Sequence, residues 1–192
     1  MAGIFLLRVS DLFITFLYTP DLASEWNPLV SLFGASWPAF IAVQLLIVAF
    51  AFFLMFFYFS RTPTVTDLKD LSFNDFIYVY FFGKLRPWPQ RIFSRPTDVR
   101  RHLVFNGFFF MLTITLVSMY AIINNLLLLS KVELYCHFIA RHYATCFPAV
   151  FIGAAVFSVY LFFGIEYARY KKTQRHNPLK GVSINLSTRK PK

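Results

Sequence analysis

Arg8, Asp11, Thr15 and Tyr18 are the residues of this sequence whose types and spacing come closest to chemistry. At about 100° per residue they fall within an arc of about 80° on one helix face. An ionisable side chain inside a bilayer costs about 2.5–3.5 kcal/mol on insertion scales, so such a stripe must face protein or water. Arg8 and Asp11 stand at i, i+3 and can pair within the helix. One reading makes Asp11 a proton carrier or ligand in a buried polar site. The other, which we favour, is a structural pair that fixes helix packing or recruits another subunit. Gln44, in the next apolar stretch, is the expected partner of Asp11 across a bundle.

Asp21 and Glu25 follow, and Glu25-Trp26-Asn27-Pro28 can fold back towards Asp11. Three carboxylates near one helix suit a divalent cation, which takes oxygen ligands. Their spacing matches no metal motif, so no metal site is expected. Cys136, His137, His142 and Cys146 form a second cluster of zinc-type ligands. Their spacing fits no standard zinc knuckle. Three readings stay open there: a Cys136–Cys146 disulfide closing a small loop in an oxidising compartment, two unpaired thiols, or a metal site. Cys136 and His137 are adjacent and would point apart on a helix, so a nucleophilic pair is disfavoured. No catalytic residue is assigned.

The elements that must position these residues follow from composition. Hydrophobic residues make up 57% of the 192 and charged ones 15%, with a mean hydropathy of +0.56. A soluble domain has about 45–50% apolar and about 25% charged residues. The chain therefore reads as an all-α integral membrane protein. Four apolar stretches approach the roughly 20 residues that a spanning helix needs. They cover about residues 2–19, 38–60, 103–130 and 147–167. The first is the shortest and carries Arg8 and Asp11; those charges also argue against a cleaved signal peptide.

Lys and Arg set the expected orientation. Residues 61–101 and 169–192 together hold sixteen of them, against two in 131–146 and none in 20–37. Both termini and the long middle loop are thus expected on the cytoplasmic side, or the matrix or stromal side of an organelle. Residues 1–170 read as one transmembrane domain and 171–192 as a basic tail. Arg86, Arg91, Arg95, Arg100, Arg101, Lys171 and Lys172 are the expected headgroup contacts, at about 1 kcal/mol each near an anionic surface. The net charge of +10 is placed beside the apolar spans and forms no nucleic-acid-binding module, so nucleic acid is not an expected partner.

Within the middle loop, Ser72 followed by Asp75 predicts a helix start, and the apolar spacing from Phe73 predicts a short interfacial helix over about 72–84. Pro87, Pro89 and Pro96 forbid its continuation. Asn27, Pro28 and Gly34 predict another short helix over 28–33, bracketed by Trp26 and Trp37. Asn106, Thr113, Ser118, Asn124 and Asn125 read as interhelical hydrogen bonds, and Ala149 with Gly153 as a close-packing pair. Glu166 and Arg169 read as a surface pair. None of the four histidines lies deep in a span, and no cofactor is expected beyond lipid contacts.

The pattern Asp11-x3-Thr15 followed by Glu25-x-Asn27-Pro28-Leu29 and an apolar span resembles an uncharacterised family of small multi-span bacterial and archaeal membrane proteins. The likeness covers about residues 4–60. It implies a topology for the first two spans and no activity. The expectation from the sequence as a whole is a non-catalytic accessory subunit or assembly factor of a larger membrane complex, in a bacterial or organellar inner membrane. The alternatives are a small transporter or channel using the Arg8-Asp11-Thr15 stripe, and an intramembrane enzyme using Asp11 and Glu25.

Overall fold

A computed structural model describes residues 2–22, 34, 36–61, 68, 70–87, 90 and 98–176. All regular structure among the described residues is helical. The helices of the argument are α1 (Ala2–Tyr18), α2 (Trp37–Phe59), α3 (Phe73–Phe82), α4 (Val99–Leu129) and α5 (Glu133–His176). Among the described residues, three helices are long and apolar enough to cross a membrane: α2, α4 and the Thr145–Arg175 part of α5. That is one fewer than the sequence predicts. α1 forms where expected, but its 17 residues reach only about 26 Å at about 1.5 Å each, short of a hydrocarbon core of about 30 Å.

The largest departure lies after α4. Residues 131–146, expected as a link, are almost wholly helical, because α5 begins at Glu133 and continues through Pro148 for 44 residues. The turn between α4 and α5 is only residues 130–132. Lys131 takes a left-handed conformation (φ 51) there. Its N–H reaches the Leu128 carbonyl, and the Val132 N–H reaches that of Leu127. This is the Schellman pattern, which closes a helix and satisfies its last carbonyls. The Val132 carbonyl then accepts the first hydrogen bond of α5, from the Cys136 N–H.

The chain falls into two compact units, one of residues 1–61 and 102–162, the other of residues 62–101 and 163–192. In the first, α2 turns Phe40, Gln44, Val48, Ala51, Leu54 and Met55 inward. Gly107 of α4 meets the backbone of Leu54. The rings of Phe50 and Phe110, and of Tyr58 and Phe108, keep α2 and α4 in antiparallel register. Phe105 and Phe108 both pack on Phe162 of α5. The C-terminal end of α1 meets the start of α2, where the Trp37 ring lies 5.5 Å from Phe16 and its Nε1 donates to the Pro20 carbonyl at 2.7 Å.

The second unit is built on α3. Ser72 Oγ accepts the Asp75 N–H at 3.2 Å, the N-cap that the sequence predicts, and donates to the Asp75 carboxylate at 2.8 Å. Gly83 (φ 69) ends the helix in the left-handed conformation that glycine tolerates best. Phe76, Val79 and Tyr80 are buried; Phe76 packs on Tyr167 and Tyr170, and Tyr80 on Phe163. The Tyr170 hydroxyl donates to the Leu68 carbonyl and accepts the Leu71 N–H, while Tyr167 donates to the Leu71 carbonyl. Residues 68–71 are thus held by tyrosines of α5. Lys171 and Lys172, expected in a tail, belong to the last turns of α5. The tail from 177 onward lies outside the described residues, as does the helix expected over 28–33.

Candidate functional site

Ile4, Arg8, Asp11 and Thr15 recur at the four-three-four spacing of a helix stripe that packs on neighbours. Arg8 donates to the Asp11 carboxylate at 3.1 Å, with each side chain 15% exposed. Thr15 is buried. Its hydroxyl oxygen accepts from the Asn125 side-chain amide at 3.2 Å. Asn124 in turn donates to Asn125 Oδ1 at 3.0 Å, and the Tyr135 hydroxyl donates to Asn124 Oδ1 at 2.8 Å. A continuous chain of hydrogen bonds therefore runs from α1 across the end of α4 to the start of α5. Burial pushes the Tyr135 hydroxyl above its ordinary range, and Tyr120, Cys146 and Cys136 push it the same way. It remains a proton donor throughout the neutral range.

A second polar contact joins α4 and α5. Thr113 donates to Ser158 at 3.1 Å, and Ser158 donates to the Ala154 carbonyl of its own helix at 2.7 Å. Both side chains are buried. Such pairs are the usual glue between apolar helices.

Gln44 is buried on α2 but does not bond to Asp11, contrary to expectation. Its Oε1 has no hydrogen-bond partner among the described residues. The same holds for Arg8 Nε, and for the hydroxyl of Ser118 on α4. Gln44 lies on the inward face because the α2 stripe repeats at helical spacing, yet no hydrogen bond joins its amide to the Arg8–Asp11 pair.

Cys136 and Cys146 are free thiols, half-buried on one continuous helix. Ten residues of α5 separate their backbones by about 15 Å, whereas a disulfide needs Cα atoms within about 7 Å. The disulfide reading is thereby overturned within one chain. Among the described residues, no group of three or more His, Cys, Asp or Glu side chains could hold a metal ion. Glu25 and Asn27 lie outside the described residues.

The basic residues divide. Arg101, expected at the membrane surface, is turned inward in the second unit. It donates to the carbonyls of Tyr80 at 3.1 Å and Val79 at 3.4 Å, in the last turn of α3, and pairs with Asp98 at 3.4 Å. A guanidinium there meets last-turn carbonyls, of which that of Val79 also accepts the Gly83 N–H, and the negative end of the helix dipole. Lys171 lies 5.5 Å from the centre of the Tyr167 ring. Arg86, Arg100 and Lys172 are exposed, and Arg91 and Arg95 lie outside the described residues. Glu166 pairs with Arg169 at 2.9 Å; the Arg169 end is exposed, as a surface pair requires, but the Glu166 end is buried.

Sequence reasoning placed Thr15 on the right face but missed Tyr135 and Gly107. Tyr135 lies in a segment whose polar residues read as a link, and Gly107 sits inside an apolar run whose pattern marks no contact. No family model, no curated protein and no solved structure matches the chain.

Proposed function

We propose that this chain is a non-catalytic accessory subunit or assembly factor of a larger membrane complex. Its membrane is a bacterial or organellar inner membrane. Both termini face the cytoplasm, matrix or stroma, the side that the Lys and Arg counts favour. In this reading α3 lies at the headgroup level, and lipids and other membrane subunits are the partners. The observation that supports it best is how the polar side chains of the apolar helices are used. Thr15, Asn125, Asn124 and Tyr135 tie three helices together, and Thr113 ties α4 to Ser158 of α5. Outward, the helices present large apolar side chains such as Leu6, Phe13, Leu46 and Phe56, each at least 60% exposed. These are the features of a scaffold whose work is packing.

α1 strengthens the reading. It is short for an independent span and carries a charged pair, so its hydrogen bonds and its length are best completed among other helices. The test is the native mass of the tagged protein, gently extracted from its own membrane, with co-purifying chains identified. A large complex of fixed stoichiometry is expected, and Asp11→Asn should weaken that assembly. A lone chain or homodimer, or a variant that assembles normally while an activity vanishes, would sink the scaffold reading. Transport through the α1 stripe is the second reading, favoured by the buried polar atoms of Arg8 and Gln44 that have no partner among the described residues.

A further inference from the structure

Arg8 Nε, Gln44 Oε1 and Ser118 Oγ sit on three different helices, and each is buried without a hydrogen-bond partner among the described residues. Gln44 is 6% exposed and Ser118 is 1% exposed. Three pairs of contacts in the first unit show that they share one level. Between α2 and α4, Leu54 meets Gly107; Gln44 lies ten residues before the first, and Ser118 eleven after the second, along antiparallel helices. Between α1 and α4, Thr15 meets Asn125, and Arg8 and Ser118 each lie seven residues before these. Between α1 and α2, Phe16 meets Trp37; Arg8 lies eight residues before the first, and Gln44 seven after the second. Ile4, one turn beyond Arg8, is buried, so α1 keeps to the bundle along its length. The three registers agree to one residue, about 1.5 Å of helix.

We propose that these three atoms line an internal water-binding site between α1, α2 and α4. The chemistry of the set fits one molecule. Arg8 Nε–H is a donor only, Gln44 Oε1 an acceptor only, and Ser118 Oγ can accept. A water there accepts from Arg8 and donates to Gln44 and Ser118, which makes about the three hydrogen bonds typical of a buried water. The bound water couples the Arg8–Asp11 pair to α2, the contact that Gln44 does not make directly. It fixes α1 to the bundle through a bridge that apolar packing cannot supply. This site is a property of the chain itself and does not depend on its having partners.

Water-edited solid-state NMR of the labelled full-length protein in lipid bilayers tests it. The Gln44 side-chain amide should receive water magnetisation early, while Val48 and Ala51 on the same buried stripe receive it late. Transfer to Gln44 as slow as transfer to Ala51 overturns the proposal, and this needs only the unmodified chain. Variants give a second readout. With a bridging water, Ser118→Ala slows the transfer to Gln44, and Gln44→Leu lowers the melting temperature. A Gln44→Leu protein that melts at the same or a higher temperature shows an amide that was buried with nothing to bind, and also overturns it.

Discussion

Gly107 of α4 lies directly against the backbone carbonyl of Leu54 on α2, with no room for a β-carbon between them. The approach sets the spacing of the two helices at this crossing, as small residues do between apolar helices. A methyl group at position 107 would have to displace backbone, which cannot give as the end of a side chain can. Gly107→Ala is expected to destabilise the protein by about 1–3 kcal/mol, the usual cost of overpacking. Gly153 is the control, since a β-carbon there meets nothing within 4 Å. Gly153→Ala should be neutral or gain up to about 1 kcal/mol in helix propensity. Thermal unfolding of both variants in detergent decides; equal stability would refute the close contact.

Thr113 and Ser158 should behave as a coupled pair. Double-mutant cycles on such interhelical hydrogen bonds in membranes average about 0.6 kcal/mol and reach about 1.7. Thr113→Val and Ser158→Ala, alone and together, should give a coupling in that range, towards the upper end because both groups are buried. A coupling indistinguishable from zero would mean that each hydroxyl is satisfied by its own helix. Ser158 also donates to the Ala154 carbonyl, so the expected loss is larger for Ser158→Ala than the shared term alone.

Much of this architecture is written locally, and that part is legible in the sequence. α2 and α4 follow from the long stretches 38–60 and 103–130, which carry no charged residue, and α3 from Ser72, Asp75 and Gly83, whose roles act within a few residues. The rest depends on distant partners. Thr15 can be placed on a polar face from spacing alone, but its partner Asn125 is 110 residues away. The turn between α4 and α5 was hidden because Lys131 holds the left-handed position where pattern reading looks for glycine. The polar run around Cys136 then reads as a link between spans. In fact Pro148 removes only one N–H from a helix held on both sides of it, by Tyr135 at one end and Ser158 at the other.

Arg101 should matter to α3 far more than its neighbour Arg100. It supplies two hydrogen bonds to the last-turn carbonyls and accepts one on its own carbonyl from the Tyr80 hydroxyl at 3.2 Å. Hydrogen bonds involving a charged group are worth about 1.5–3 kcal/mol when buried. Arg101 is only half-buried, so the loss on Arg101→Gln should sit near the lower end. Hydrogen exchange on the α3 amides is the measurement: protection should fall on Arg101→Gln and hold on Arg100→Gln. If vesicle binding drops on Arg101→Gln while α3 protection is unchanged, the side chain serves lipid headgroups instead.

Tyr135 predicts an alkaline limit to stability. Its folded-state pKa is raised above the ordinary value of 10.0, first by burial. The folded protein therefore holds this proton more tightly than the unfolded chain does. The stability that the group contributes is complete below about pH 10 and is lost as pH rises through the higher folded value. Deprotonation also removes the donor to Asn124, and with it the end of the chain that reaches Thr15. Melting temperature should thus fall as pH rises above about 10. Tyr135→Phe should start lower at neutral pH, by the about 0.5–1.5 kcal/mol of one hydrogen bond, and show a shallower alkaline fall. An unchanged alkaline slope in that variant would assign the effect to other groups, and an unchanged neutral stability would show that the Tyr135–Asn124 bond carries no weight.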